Sequence, residues 1–289
     1  MYEDLFGKKR MKINLHMHTS LSDGEKTIEQ AALIYKNAGY DAVAITDHWV
    51  LNEKREIEGL RVIPAVEYNT NSNNGEKGVY HILGINCKKT PCLDINDSAQ
   101  KIVDEIKRCE GLAVLAHPAW SINTPEGAAH IEGIDITEIY NSVSDAHQSS
   151  RPYSGCFVDA SACMGKFYNL IATDDTHYYD GTDETCSYIM VECDEDATDD
   201  EIINAIKDGR FYATQGPELI VKKEGSKIKI HTSPVSRISL FSNIVWSDGY
   251  CVKGEGLTYH EYEIKDETFI RVEATDKDGK FAWSNIICL

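Results

Sequence analysis

Apolar and polar positions along the first three quarters of the chain follow two alternating periods. Short apolar runs with the period of a strand are separated by longer stretches with apolar residues at helical spacing. The pattern predicts helices at 27–39, 98–110 and 199–208, each closed by a glycine. It predicts strands at 12–18, 40–46, 61–66, 79–85, 112–116, 134–140 and 168–172. Strands that alternate with helices indicate parallel pairing, and this many units favours an α/β barrel.

The pattern changes after about residue 216, where no further helix is predicted. Turn signals of the Glu-Gly and Asp-Gly type separate short runs that alternate only in part. These runs lie at 219–223, 227–231, 237–241 and 268–272. We therefore divide the chain into an α/β barrel domain at 1–216 and a small antiparallel β module at 217–289.

Composition adds a strong negative charge. The 289 residues include 29 Lys and Arg against 47 Asp and Glu, a formal net charge of −18. Such a surface repels phosphate backbones and anionic lipid, so nucleic acid and membranes are disfavoured as partners. No apolar run approaches the roughly 18 residues of a membrane span, and the start lacks a signal-peptide core. The nine cysteines include no C-x-x-C pair, which is typical of reduced thiols, so we expect a cytoplasmic protein. The sequence does not indicate an oligomeric state.

Candidate metal ligands gather at or near the ends of successive predicted strands. His16 and His18 are two residues apart on a predicted strand, so both side chains face one way and can bind one cation. The remaining members of the set are Asp23, His48, Glu67, His81, His117, Asp175 and His177. In a barrel, strand ends of this kind meet on one face. Burying six histidines and three carboxylates together is costly unless cations compensate their charge, so the sequence predicts a metal centre.

These motifs together resemble the PHP family, the polymerase and histidinol phosphatase domain. The matching motifs are His16-x-His18, Ser22-Asp23-Gly24, Thr46-Asp47-His48, Glu67, His81, Ala116-His117-Pro118 and Asp175-x-His177. The resemblance covers residues 12 to about 215 and implies a distorted barrel of seven βα units with metal-dependent phosphoesterase activity. Segments 209–214 and 283–285 also resemble a branch of the family in which a small β domain follows the barrel.

The resemblance also implies two or three divalent transition metal ions, Mn, Zn or Fe. Carried over residue by residue, it places the first ion on His16, His18, Glu67 and Asp175, the second on Glu67, His81 and His117, and the third on Asp23, His48 and His177. Many relatives have histidine where this chain has Asp23, so the third site is richer in oxygen here. The mixed donor set leaves the choice of metal open.

The expected activity is hydrolysis of a phosphate ester on a small soluble substrate. A dication lowers the pKa of bound water to about 7, so a metal-bound hydroxide would be the nucleophile. Arg151 and His147 are candidates to contact the substrate phosphate. One alternative is a C–N hydrolase of the amidohydrolase type, which usually lacks the second ligand that His177 supplies. Others are a nuclease acting on short oligonucleotides, which the charge disfavours, and a non-catalytic metal-binding protein, which the intact ligand set argues against.

The Asp-x-His spacing of residues 175–177 recurs at 145–147, which also follow a predicted strand. Residue 175 lies three positions after its strand, whereas residue 145 lies five positions after the preceding one, across a polar stretch. Because a ligand must be held rigidly, we expect residues 175 and 177 to bind metal and residues 145 and 147 not to.

Overall fold

The computed structural model describes residues 1–71 and 78–289. Its α-helices and one π-helical turn are α1 (Ile28–Asn37), α2 (Ala99–Arg108), α3 (Pro125–Ala129), the π turn Ser144–Gln148, α4 (Gly155–Cys163) and α5 (Asp199–Lys207). Its strands before residue 217 are β1 (Tyr2–Glu3), β2 (Lys9–Asn14), β3 (Ala42–Ile45), β4 (Glu56–Ile57), β5 (Leu60–Asn69), β6 (His81–Ile85), β7 (Leu112–Leu115), β8 (Ile136–Asn141), β9 (Asn169–Thr173), β10 (Tyr188–Glu192) and β11 (Phe211–Thr214). The later strands are β12 (Leu219–Glu224), β13 (Lys227–Ser242), β14 (Cys251–Glu263), β15 (Phe269–Thr275), β16 (Phe281–Trp283) and β17 (Ile287–Cys288).

Helices α1, α2 and α5 occupy the three ranges predicted from apolar spacing, and local hydrogen bonds explain where they begin. Thr27 and Gln30 form a capping box at the start of α1, with side-chain to backbone bonds in both directions. Thr198 and Glu201 form the same motif at the start of α5. After α1 the chain turns at Gly39, whose φ of 77° lies in the left-handed region that glycine adopts without strain.

The strands before residue 217 pair in both directions, so the expectation of an all-parallel sheet is wrong. Strands β2, β3 and β5 are parallel neighbours, as are β7, β8 and β9. Strand β6 lies between β5 and β7 and is antiparallel to both. The reason is local, because Asn69 at the end of β5 pairs with His81 at the start of β6 and the chain reverses between them. The architecture is a mixed α/β fold around one large sheet.

The strands after residue 217 are antiparallel, as predicted, and they continue the same sheet. Strand β13 pairs with β12, β14 and β15, with register shifts around Val235. Strand β16 pairs with β11, where Trp283 lies opposite Ala213. Trp283 is 1% exposed and belongs to the main apolar cluster, which is otherwise formed by residues before 217. The C-terminal strands therefore contribute to the packing of the preceding α/β region.

The state of the cysteines and the length and polarity of the helices can also be compared with the sequence. All nine cysteines are free thiols, and Cys87 and Cys109 are buried among apolar side chains. Within the two described ranges, every helix is too short or too polar to cross a lipid bilayer. The free thiols agree with the absence of a disulfide framework expected from the cysteine spacing.

Candidate metal centre

All nine predicted ligand residues lie in one cluster at one edge of the sheet. Strand β2 ends at Asn14, so His16 and His18 lie just beyond it, in a segment that a bridge between Met17 and Thr176 keeps extended. Their Nε2 atoms are 3.2 Å apart, as side chains two residues apart on one face should be. His81 reaches this edge because β6 is antiparallel, which places its first residue beside the last residues of β5. Glu67 lies near the end of β5, and the other ligands follow strands or lie in loops at this edge.

Glu67 lies at the centre of the cluster, and its two carboxylate oxygens face different histidines. Oε1 is 2.9 Å from His81 Nδ1 and 3.3 Å from His117 Nε2. Oε2 is 3.3 Å from His16 Nε2 and 3.1 Å from His18 Nε2. The side chain is buried, so its charge is compensated by groups of the site rather than by water. A carboxylate in this position can serve two cations at once.

Asp175 completes the innermost group of side chains. Its Oδ1 atom is 3.0 Å from Nε2 of His16 and 3.0 Å from Nε2 of His18. This oxygen is buried and has no hydrogen-bond partner, so neither ring is aligned to donate to it. An oxygen that lies this close to two ring nitrogens without bonding to either is placed as it would be beside a shared cation. Two imidazoles and two carboxylates suit Zn²⁺, Mn²⁺ and Fe²⁺, so the donor chemistry fits the metals expected.

The outer part of the cluster surrounds Asp23, whose side chain is 53% exposed. The Asp23 carboxylate is 3.5 Å from His177 Nε2, 3.5 Å from His18 Nδ1 and 3.7 Å from His48 Nε2. The other ring nitrogen of His48 is buried without a hydrogen-bond partner, 3.2 Å from Glu67 Oε2. Since Asp23 faces solvent, this is the side from which a substrate can enter.

The geometry groups the ligand atoms in nearly the way that the family resemblance implies. Three groups have all their ligand atoms within 4.8 Å of one another: His16, His18, Glu67 and Asp175; His18, Asp23, His48 and His177; and His48, Glu67 and His81. The first group equals the implied first site, and the second adds His18 to the implied third site. In the last group His48 stands where the resemblance implies His117, although His117 also contacts Glu67.

The charges in the cluster are strongly coupled. Burial alone would raise the pKa of the Glu67 carboxyl, but the charges of His16 and His81 hold that pKa well below its usual value. The pKa of Asp175 is also well below its usual value, because His16 and His18 outweigh the effect of burial. Burial would lower the pKa of His18, yet Asp175 and Glu67 raise it to about 9. A cation must therefore displace imidazole protons, and metal affinity is expected to rise with pH.

Backbone geometry at two of the ligands is strained. Asp175 has a φ of 53° and His117 a φ of 26°, both on the left-handed side that residues with a Cβ avoid. Such conformations cost about 1–3 kcal/mol each and persist where surrounding contacts hold them. The Asp175 N–H donates to the carbonyl of His16 at 2.8 Å, and the His117 N–H donates to Glu138 Oε2 at 2.8 Å. The fold thus holds both side chains toward the cluster at an energetic cost.

The loop that carries Asp23 is held by a buried carboxylate and by a glycine. Asp47 accepts hydrogen bonds from the backbone and hydroxyl of Thr19, both at 2.7 Å, and from the Ser22 hydroxyl at 2.8 Å. At Gly24 a Cβ would lie 2.6 Å from the carbonyl carbon of His18. Ser22 and Gly24 therefore allow the close approach of this loop to the cluster.

Two side chains near the cluster were not predicted from the sequence. Glu138 is a fully buried carboxylate that contacts the ring of His16 and the backbone of His117. The available signal was a charged residue inside the apolar run of β8. Trp120 stands edge-on to His81 and His117, with ring centroids 5.5 and 4.9 Å apart, and forms an apolar wall. Nothing in the spacing of Trp120 distinguishes it from a core residue.

The two predicted substrate contacts lie outside the cluster. His147 is exposed, stacks on Tyr178 at 4.0 Å and has Nε2 2.8 Å from the Thr182 hydroxyl. Arg151 is exposed, and its backbone N–H donates to the carbonyl of Ser144. Neither side chain contacts the predicted ligands within the ranges that the structure describes.

Asp145, and Asp174 next to Asp175 in the sequence, also lie apart from the ligands. Asp145 is exposed and accepts from the Tyr140 hydroxyl at 3.2 Å. Asp174 is buried but accepts from the Tyr35 hydroxyl at 2.8 Å and from the backbone of Ser187 at 2.7 Å. Burial raises the pKa of Asp174 to about 7 although these bonds oppose the rise. The structure therefore brings residues 175 and 177, and neither of these aspartates, into the cluster.

Neither a protein-family model nor a curated protein sequence matches the chain. Among solved structures, the chain is similar to a two-domain protein from Bacteroides vulgatus ATCC 8482 that contains a predicted PHP-like metal-dependent phosphoesterase. The two share 15% sequence identity at a TM-score of 0.55, over 99% of this chain and 98% of that one.

The chain is also similar, over part of its length, to two further solved structures. An amidohydrolase from Chromobacterium violaceum is 14% identical at a TM-score of 0.42, over 59% of this chain and 89% of that one. A lesion-specific endonuclease from Pyrococcus furiosus is 16% identical at a TM-score of 0.49, over 69% of this chain and 56% of that one. The assignment rests on the Bacteroides structure, because the other two TM-scores lie below 0.5. The resemblance drawn from the motifs is thereby confirmed for the fold, which is of the PHP type.

Proposed function

We propose that this protein is a metal-dependent phosphoesterase that hydrolyses a small soluble phosphate ester. Two features of the cluster support the proposal together. The two oxygens of Glu67 face different histidines, and the Oδ1 atom of Asp175 is buried without a hydrogen-bond partner. Two or three divalent ions, Mn, Zn or Fe, would occupy the cluster. The proposed ligands are His16, His18, Glu67 and Asp175 for the first ion, Glu67, His81 and His117 for the second, and Asp23, His48 and His177 for the third.

When bound, divalent ions supply a nucleophilic water at neutral pH and neutralise charge on phosphoryl oxygens. The chain's own residues supply the shape of the site. The half-exposed Asp23 leaves the outer side open to a phosphate group, and Trp120 forms an apolar wall beside His81 and His117. Arg151 and His147 remain candidates for the distal part of a substrate, since both are exposed.

The proposal favours a small ester over a polynucleotide. The formal net charge of −18 repels a polyanion over many phosphates, whereas a small substrate presents only one or two.

We also propose that seven strands, β2, β3 and β5–β9, form a distorted (β/α)7 barrel. The Met17–Thr176 bridge supports this, because it joins the segments that follow the first and last of these strands. Within this proposal, residues 1–216 are the catalytic domain, residues 217–289 are a β module, and nine free thiols favour the cytoplasm.

The test is a hydrolysis screen with purified protein reconstituted with Mn²⁺, Zn²⁺ or Fe²⁺. The wild type and the variants Asp175→Asn and Asp145→Asn are each assayed with four substrate classes: phosphate monoesters, phosphate diesters, amides and short oligonucleotides. We expect turnover of small phosphate esters by the wild type and by Asp145→Asn, and a loss of at least about 100-fold in Asp175→Asn. Turnover of only amides or only oligonucleotides, or none with metal bound, would contradict the proposal.

A further inference from the structure

Glu138 projects from β8 into the layer just behind the ligand cluster. Its Oε1 atom lies 2.7 Å from His16 Nδ1 and 2.7 Å from the Thr173 hydroxyl. Its Oε2 atom accepts from the His117 N–H at 2.8 Å and from Asn141 Nδ2 at 2.9 Å. The side chain is fully buried. Because each oxygen already has two partners, this carboxylate is occupied by the protein and is not free to bind a cation.

The roles of three of these partners are fixed by chemistry. The backbone N–H of His117 can only donate. Asn141 must present its NH₂ group, because its Oδ1 accepts from the backbone N–H and the hydroxyl of Ser144 at 3.2 and 2.8 Å. An ionised carboxylate can only accept, so His16 Nδ1 carries the proton that bonds to Glu138. In the neutral ring, the form that can bind a cation, the lone pair of His16 is therefore on Nε2, the atom that faces Glu67 and Asp175.

We propose that Glu138 is a positioning residue, which fixes His16 as an Nε2 ligand and connects it to two other ligands of the centre. It holds the strained backbone of His117 directly. It also reaches Asp175 through Asn141, whose Nδ2 is 3.0 Å from Asp175 Oδ2. One buried carboxylate thus supports ligands of both inner metal positions. This inference rests on the proposed metal centre.

The substitution Glu138→Gln tests this role because the four partners dictate the orientation of the new amide. His117 N–H and Asn141 NH₂ both donate, so the amide oxygen must face them. The amide nitrogen then takes the place of Oε1, where the Thr173 hydroxyl can accept one of its N–H groups. His16 Nδ1 must accept the other, which moves the ring proton to Nε2 and removes the lone pair from the cluster. The variant can therefore fold with its hydrogen bonds satisfied and still lose a metal ligand.

The experiment is a Zn²⁺ titration of the full chain against a competing chelator, with thermal unfolding of the metal-free protein as the check on folding. We expect Glu138→Gln to bind at least one Zn²⁺ about 10–100-fold more weakly than the wild type does, the usual effect of losing a carboxylate behind a histidine ligand. Thr173→Val is the matched control, since it removes one donor to Oε1 and leaves the bond to His16. Its Zn²⁺ affinity should equal that of the wild type.

A second measurement needs no variant at position 138. In the Zn²⁺-loaded wild type with ¹⁵N-labelled histidine, the His16 resonances, assigned with His16→Ala, should show a proton on Nδ1 and none on Nε2. Unchanged Zn²⁺ affinity of Glu138→Gln, or an Nδ1 of His16 without a proton in the loaded wild type, would overturn the positioning role. If the wild type itself binds no Zn²⁺, the proposed metal centre fails, and the role of Glu138 fails with it.

Discussion

Two Asp-x-His pairs of equal spacing follow strands of this chain, and their support distinguishes them. Asp175 has a backbone bond to the carbonyl of His16 and a side chain held by Asn141. His177 receives support from Asp183, which accepts its backbone N–H at 2.7 Å. Asp145 is exposed, and its carboxylate accepts from the Tyr140 hydroxyl rather than facing the cluster. A ligand is useful only when its atoms are held in place before the cation arrives.

We predict that Asp175→Asn and His177→Ala each lower metal content by at least one ion per chain and abolish phosphoesterase turnover. Each change removes a donor atom from the cluster, and Asp175→Asn also removes a compensating charge from His16 and His18. Asp145→Asn and His147→Ala should keep the metal content of the wild type. Elemental analysis measures the metal content of the four variants, and circular dichroism checks that they are folded. Loss of metal from the variants at 145 and 147, with none from those at 175 and 177, would refute the ligand assignment.

The nine predicted ligands lie close together in the structure, and their role in binding metal stays a prediction. Spacing along the sequence could place them near one another because they lie at or near strand ends. It could not find Glu138, whose role depends on which side chains from other strands surround it. It also could not place Arg151, because the position of a loop side chain is not determined by spacing along the chain.

At the level of elements, the antiparallel strand β6 is the main departure from prediction. The sequence pattern does not show whether the chain crosses over to form a parallel strand or reverses to form an antiparallel one, because a buried strand has the same apolar run in both cases. The reversal matters for the site because it brings His81, the first residue of β6, to the edge where other strands end. Helix α4 was not predicted either, since its apolar positions do not form a helical stripe. It contacts the C-terminal strands through a partly buried ion pair.

That ion pair joins α4 to β15. Arg271 is fully buried, stacks over the Phe241 ring at 4.1 Å and donates to Asp159 of α4 at 2.6 and 2.8 Å. It also donates to Glu273, a buried neighbour on β15. Removing Arg271 leaves the Glu273 carboxylate buried without compensation, and Asp159 partly so.

We therefore predict that Arg271→Met lowers the free energy of unfolding by about 3 kcal/mol, toward the lower end of such effects because Asp159 is partly exposed. Metal content per folded chain should not change, because none of the predicted ligands contacts Arg271 in the described ranges. The control is Lys277→Met, which removes an exposed ion pair with Asp278 and should leave the free energy of unfolding almost unchanged. Urea unfolding followed by circular dichroism measures both values, and equal effects would contradict the role of Arg271.

At the scale of the whole molecule, the C-terminal strands supply none of the predicted ligands, yet they complete the packing of the α/β region. Trp283 fills part of its main core. The Asn285 side chain accepts from the Leu170 N–H at 2.7 Å and donates to the carbonyls of Gly209 and Phe211 at 3.0 and 3.1 Å. The sequence predicted an antiparallel β module but not this attachment, because pairing between distant segments is not written in their local patterns.

We predict that the fragment 1–216 does not unfold cooperatively, because it lacks Trp283 and the side chain of Asn285. In the full chain, Trp283→Ala should lower the free energy of unfolding by about 3–5 kcal/mol, the usual cost of truncating a buried tryptophan. Its folded fraction should retain the metal content of the wild type. Urea unfolding of the full chain and of the fragment gives the comparison. A fragment with the cooperativity of the full chain would show that the C-terminal strands are dispensable for folding.

The most direct test of the metal centre is the number of metal ions bound to each chain. Nine ligand side chains converge in three overlapping groups, more than a single ion can use. Elemental analysis of protein purified without chelator, and again after addition of Mn²⁺, Zn²⁺ or Fe²⁺, is predicted to give two or three ions per chain. Less than one ion per chain after metal addition, in protein shown to be folded, would contradict a metal-dependent hydrolase at this site.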